Sequence, residues 1–153
     1  YKKYRKLLNR SKNALEREDT LIAKFNLFRI QLEVKRDSLS ALSGEAYALI
    51  KFNTKYVIDL LPEIDSKNLF ERFIKRINRC YSTGDILKKR IYRNLMKFAR
   101  ESKEHFHDGR KSMALNKLKR MRLELRSLNT GEIKQECRRM LIDYSKFLTH
   151  SIK

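Results

Sequence analysis

The stretch ALNKLKRMRLELRSL, residues 114–128, decides the fold class. Its apolar residues Ala114, Leu118, Met121, Leu125 and Leu128 are separated by four, three, four and three positions. Because an α-helix completes a turn every 3.6 residues, this spacing places all five residues on one side of a helix. Lysine and arginine occupy much of the other side. The stretch therefore predicts an amphipathic helix with an apolar side turned to a core and a basic side turned outward.

The same spacing recurs along the chain, and no alternation typical of strands competes with it. One proline and four glycines among 153 residues are too few for a loop-rich β protein. Short turns favour antiparallel packing of successive helices. We therefore expect one all-α domain over residues 1–153, a helical bundle or a short helical-hairpin array, with 1–18 as a peripheral basic helix. The pattern predicts seven antiparallel helices: 1–18, about 20–41, 44–62, 66–81, 83 to about 106, one containing 114–128, and 133 to the end.

Three of the four glycines lie in one repeated phrase: Ser43-Gly44-Glu45-Ala46, Thr83-Gly84-Asp85-Ile86 and Thr130-Gly131-Glu132-Ile133. A Ser or Thr oxygen can accept from a free N–H in the first turn of a helix, and a carboxylate in that turn favours the positive end of the helix dipole. We therefore predict that each phrase begins a helix. The phrases are 40 and 47 residues apart, which fits either a helical repeat or three unrelated caps.

Positive charge is concentrated in one part of the chain. The whole sequence has 37 Lys and Arg against 18 Asp and Glu, for a formal charge of +19. Residues 72–126 hold eighteen Lys and Arg against five acids, whereas residues 18–71 hold seven against nine. An ordinary solvated surface mixes both signs, because uncompensated like charges destabilise a compact chain. The imbalance therefore indicates a dense anion as partner, and phosphate backbones are the commonest such anion.

We therefore expect a non-catalytic, basic helical subunit of a ribonucleoprotein or similar assembly, which contacts the phosphate backbone without reading sequence. RNA is favoured over DNA because small basic helical proteins are abundant in ribosome-like particles, and other protein subunits are expected partners. The candidate nucleic-acid contacts are Arg72, Arg76, Arg79, Lys88, Lys89, Arg93, Lys97, Lys117, Lys119, Arg120, Arg122 and Arg126, with Lys2, Lys3, Arg5 and Lys6 as a second patch.

Two alternatives remain open for the basic surface. The chain can be a protein-interaction or scaffold subunit that docks on an acidic partner, with the very apolar helix 20–41 partly facing that partner. It can also be a binder of anionic membrane surfaces. No apolar run approaches the ~18 residues that a membrane span requires, so no transmembrane segment is expected.

The stretch RESKEH, residues 100–105, places Arg100 and His105 in the order Arg, four residues, His. This resembles the catalytic pattern of the HEPN ribonucleases, an all-helical family in which Arg and His from two subunits cleave RNA without metal. The resemblance implies a further alternative, a metal-independent ribonuclease with these two residues as catalytic candidates. Glu101 departs from the family, which usually has Asn, Asp or His after the arginine.

The remaining polar residues predict no metal site and no cofactor. His105, His107 and Asp108 are close in sequence, but residues two apart on a helix point to different sides. Cys80 and Cys137 stand alone among apolar helical neighbours. They are expected to be reduced core thiols of an intracellular protein in a reducing compartment.

Overall fold

The computed structural model describes residues 2–38 and 42–152. These residues form seven α-helices and a single isolated β-bridge, which confirms the predicted all-α class. Residues 1, 39–41 and 153, into which three of the predicted helices extend, lie outside the described residues. The helices are α1 (Lys2–Glu16), α2 (Thr20–Asp37), α3 (Gly44–Leu60), α4 (Ser66–Ser82), α5 (Lys89–His107), α6 (Lys111–Ser127) and α7 (Gln135–Ser151).

The helices group into two compact units, an N-terminal unit of residues 1–64 and a C-terminal unit of residues 65–153. That the whole chain acts as one domain stays a prediction. In the N-terminal unit α2 packs against both α1 and α3. Ile30 and Val34 of α2 belong to a buried cluster with residues of α1, and Ile50 and Ile58 of α3 pack against that cluster. The very apolar α2 is therefore the central helix of its unit.

The apolar spacing of residues 1–18 predicts Tyr4, Leu7, Leu8 and Leu15 on the inner side of α1. Tyr4 and Leu7 are buried there, but Leu8 and Leu15 are exposed. Ser11 is buried instead, and its hydroxyl donates to the carbonyl of Ala23 at 3.1 Å. A small polar residue fits here because its one donor is satisfied by the backbone of α2.

The C-terminal unit is a four-helix bundle in which α4 packs against α5 and α7, and α6 packs against the same two helices. Phe73 of α4 stacks on Tyr144 of α7 with ring centroids 5.0 Å apart, and both are buried. Ser102 of α5, also buried, donates to the carbonyl of Ala114 of α6 at 2.9 Å. The predicted core residues of 114–128 are all buried, as their spacing required.

Only the first of the three glycine phrases begins a helix. The Ser43 side chain accepts from the N–H of Ala46 at 3.2 Å and caps α3. Thr83 instead ends α4, where its hydroxyl donates to the carbonyl of Arg79 at 2.9 Å and Gly84 takes a left-handed conformation with φ 69°. α5 begins six residues after Thr83, at Lys89, and α7 begins at Gln135. The predictions that Thr83 and Thr130 begin helices are therefore wrong.

The second and third phrases pair with each other. Ile86 and Ile133 form an antiparallel β-bridge, and both side chains are buried. The N–H of Leu87 donates to the carbonyl of Glu132 at 2.9 Å, and the N–H of Lys134 donates to that of Asp85 at 2.8 Å. The similar sequences satisfy equivalent backbone groups on the two sides of the bridge.

The acids of the two phrases also pair across this bridge. Asp85 pairs with Lys134 at 2.9 Å, and Glu132 with Lys88 at 3.4 Å. The hydrogen bond from Lys134 lowers the pKa of Asp85. The pKa of Glu132 is lowered first by the backbone N–H of Asn129 and also by Lys88. The predicted carboxylates therefore act on the neighbouring loop and not on a helix dipole.

Candidate nucleic-acid interface

A row of four cations runs along the outermost side of α5. Lys89, Arg93, Lys97 and Arg100 are all exposed and are separated by four, four and three residues, so they share one side of the helix. The opposite side carries the buried core residues Ile91, Leu95 and Ala99. At 1.5 Å per residue the row is about 16 Å long. We call these four residues the α5 row.

Most of the α5 row is not neutralised within the chain. Lys89, Arg93 and Arg100 form no ion pair with any carboxylate in residues 2–38 and 42–152. Lys97 lies 3.9 Å from Glu101 on the next turn, at the limit of an ion pair. The exposed acid Glu104 follows Arg100 at the same spacing and ends the row. Three full positive charges therefore face solvent along the row.

α6 lies beside α5 and extends the basic surface. Two polar pairs fix the antiparallel register: Asn94 donates to Glu124 at 3.0 Å, and Lys117 forms an ion pair with Glu101. The hydrogen bond from Lys117 lowers the pKa of Glu101, so this carboxylate is ionised at neutral pH. Lys117 is consequently neutralised.

Arg120 is the free cation that α6 adds on this side. It is exposed, has no ion-pair partner among the described residues, and lies on the side of α6 that carries Lys117 and Glu124. We define the α5–α6 basic face as Lys89, Arg93, Lys97, Arg100 and Arg120. Lys119 and Arg126 are exposed as well, but they lie on the other flank of α6, toward α7.

Arg122 has a different environment from the other predicted contacts. Its guanidinium is half-buried and donates to the carbonyl of Ser145 at 3.2 Å, to the Ser145 hydroxyl at 3.0 Å and to the Thr149 hydroxyl at 2.8 Å. Burial, with the nearby charge of Arg126, lowers the pKa of Arg122. Its donors are therefore used to join α6 to α7.

The predicted cations of α4 lie on a separate side of the bundle. Arg72, Arg76 and Arg79 share one flank of the helix. The flank that meets α5 carries Glu71, which pairs with Lys103 at 3.4 Å, and Asn78, which accepts from the Tyr92 hydroxyl at 2.7 Å. The cations of α4–α6 therefore divide between different faces and do not form one continuous surface.

Two further predicted groups of cations are partly paired. In the second patch, Lys3 pairs with Glu33 and Asp37, whereas Lys2, Arg5 and Lys6 are exposed on α1. In the C-terminal unit Lys88 pairs with Glu132. Lys3 and Lys88 thus have intramolecular partners that a phosphate would have to displace.

The candidate catalytic pair does not share a side of α5. Arg100 belongs to the exposed row, whereas His105 is half-buried and lies five residues, about 140°, further round the helix. In the part of the chain that the structure describes, no three His, Cys, Asp or Glu residues lie close enough to hold a metal ion. The role of Arg100 in the α5 row was missed from sequence, although its spacing from Lys89, Arg93 and Lys97 carries the signal.

Two aromatic residues beside the basic helices stack on each other. Tyr81 at the end of α4 and Tyr92 near the start of α5 have ring centroids 4.2 Å apart and planes within 13°. Both rings are partly buried in the contact between these helices. They use one face each to hold α4 against α5.

Comparison of the chain with protein-family models, with curated proteins and with solved structures finds no match. Within the described residues, no helix combines the length and the apolar character needed to cross a membrane.

Proposed function

We propose that this protein is a non-catalytic nucleic-acid-binding subunit whose α5–α6 basic face contacts a phosphate backbone. The observation that supports the proposal is the α5 row, in which Lys89, Arg93 and Arg100 lie exposed without a carboxylate partner among the described residues. Phosphate oxygens would supply the missing counter-charge, and guanidinium groups can bind them through two N–H donors at once.

The same surface favours binding without sequence readout. Its side chains are long, flexible and cationic, and such contacts fix position on a backbone without distinguishing bases. RNA is the proposed partner, within a ribonucleoprotein or a similar assembly that includes other protein subunits. The α5 row, about 16 Å long, suits an RNA strand that runs along α5.

Salt dependence tests the proposal quantitatively. If the five residues of the α5–α6 basic face each neutralise one phosphate, log Kobs should fall against log salt with a slope of about −3.5 on single-stranded RNA. A variant with Lys89→Gln, Arg93→Gln and Arg100→Gln should reduce the magnitude of that slope by about 2, since each lost contact removes roughly 0.7 from the single-strand slope. Both slopes can be measured by fluorescence anisotropy at salt concentrations from about 50 to about 200 mM, because nucleic-acid affinities of this kind fall strongly over that range.

A matched variant on α4 distinguishes a defined face from general basicity. Arg72→Gln, Arg76→Gln and Arg79→Gln remove the same charge from another side of the bundle. This variant should leave the slope nearly unchanged. Equal slopes for the two triple variants would mean that the net charge binds RNA from any side, and an unchanged slope for the α5 variant would refute the proposed face.

A further inference from the structure

A stripe of large apolar side chains lies exposed on α3. Leu49, Phe52, Tyr56 and Leu60 have 64%, 70%, 65% and 66% of their surface exposed. They are separated by three, four and four residues, so they line up along one side of the helix. We call these four residues the α3 outer stripe.

The opposite side of α3 already holds the helix in its unit. Tyr47, Ile50, Ile58 and Leu61 pack against the buried cluster of α1 and α2. The α3 outer stripe is therefore not needed for that packing. About two-thirds of each of these four large side chains is exposed, so together they present roughly 500 Å² of apolar surface. This area is near the upper end of what a monomer normally exposes in one patch.

We propose that the α3 outer stripe is the contact through which two copies of this chain associate, with their α3 helices antiparallel about a twofold axis. The stripe is complementary to itself in that orientation. When the helices cross at the level of residue 54, Leu49 of one copy lies opposite Leu60 of the other, and Phe52 lies opposite Tyr56. The twofold axis repeats both contacts, as an isologous interface requires.

Charge does not oppose the approach of a second copy at this position. Residues 42–64 hold two lysines and three acids, in a protein whose formal charge is +19. The lysines of α3 also have partners: Lys55 pairs with Asp59 at 2.8 Å, and Lys51 lies over the Tyr47 ring at 5.5 Å. Two copies that meet through α3 thus bring together surfaces with little like-charge repulsion.

The area of the stripe places the proposed dimer among the small, weak interfaces. Two stripes together bury about 1,000 Å², which is the lower limit for a specific interface. An association in the micromolar range is therefore expected, and it should be measured over a wide concentration range. The inference does not depend on the proposed function.

Sedimentation velocity of the full chain tests the dimer. The wild type should shift from monomer to dimer as its concentration rises through the micromolar range, and Phe52→Glu should remain monomeric. Leu8→Glu is the matched control, because Leu8 is also an exposed apolar residue of the N-terminal unit but lies on α1. It should dimerise like the wild type. A wild type that stays monomeric throughout, or a Phe52→Glu variant that dimerises normally, would overturn the proposal.

Disulfide trapping tests the antiparallel register. Chains with Leu49→Cys mixed with chains carrying Leu60→Cys should give a covalent dimer on non-reducing gels, whereas Leu49→Cys alone should give little. The reverse result would indicate parallel helices and overturn the proposed geometry.

Binding of the monomer to phosphatidylserine vesicles that is lost in Phe52→Glu would assign the stripe to a membrane surface instead. RNA binding by Phe52→Glu should keep the wild-type salt slope, so failure of the dimer and failure of the basic face are distinguishable.

Discussion

Replacing Arg122 with methionine should destabilise the C-terminal unit without altering nucleic-acid binding. The substitution removes three hydrogen bonds from a charged donor to Ser145 and Thr149, and Ser145 is fully buried. Hydrogen bonds to charged groups contribute about 1.5–3 kcal/mol each when buried, but this guanidinium is half-exposed and the Thr149 hydroxyl keeps a bond of 2.9 Å to the Ser145 carbonyl. We therefore expect a total loss of about 2 kcal/mol and a Tm lower by roughly 10 °C.

Arg120→Met is the matched control for this prediction. Arg120 is exposed, has no ion-pair partner among the described residues, and lies two positions away on the same helix. Urea unfolding monitored by circular dichroism should show little change for Arg120→Met, whose RNA salt slope should weaken by about 0.7. Arg122→Met should instead lower the free energy of unfolding and leave the RNA salt slope unchanged. A stable Arg122→Met variant with a weakened slope would refute the conclusion that Arg122 joins α6 to α7.

Three further predictions concern the paired loops and the two thiols. Ile86→Ala should cost about 2–4 kcal/mol in urea unfolding, because it empties a buried position at the β-bridge, whereas the neighbouring exposed Leu87→Ala should cost about 0.5 kcal/mol or less. The hydrogen bond from Lys134 that lowers the pKa of Asp85 stabilises the fold above the ordinary aspartate pKa of 3.8, and this contribution disappears as the pH falls through the lowered value. Asp85→Asn should therefore lose less stability than the wild type does between neutral and acidic pH. Cys80 and Cys137 are both buried, so neither thiol should react with a thiol reagent in the native protein, and both should react after denaturation; rapid labelling of one thiol in the native protein would contradict this.

The helices themselves could be predicted from sequence because their cause is local. Apolar residues at intervals of three and four determine which side of each segment can be buried, and no long-range information is needed for that inference. The glycine phrases were misinterpreted for the opposite reason. Ser43 caps a helix, but Thr83 and Thr130 belong to two loops that satisfy each other's backbone groups across 47 residues of sequence. A pairing between distant loops leaves no signal within either loop alone.

The candidate site was only partly predictable for a related reason. The excess of cations in 72–126 is visible in the composition, but the state of each cation depends on its neighbours in space. Lys117 is neutralised by Glu101 of another helix, and Arg122 is held by α7, whereas Arg93 and Arg100 remain exposed. The two cysteines, isolated in sequence, likewise contact each other only because α4 and α7 meet.

The sequence by itself determined that this protein is all-helical, where most of its helices run, and that its positive charge is concentrated between residues 72 and 126. These properties follow from the order and identity of neighbouring residues. Only the tertiary structure decided which basic side chains face solvent without a counter-charge, which side of α3 is left uncovered, and which loops pair. Those properties depend on which helices lie side by side, and burial and ion pairing act between residues that are close in space but distant along the chain.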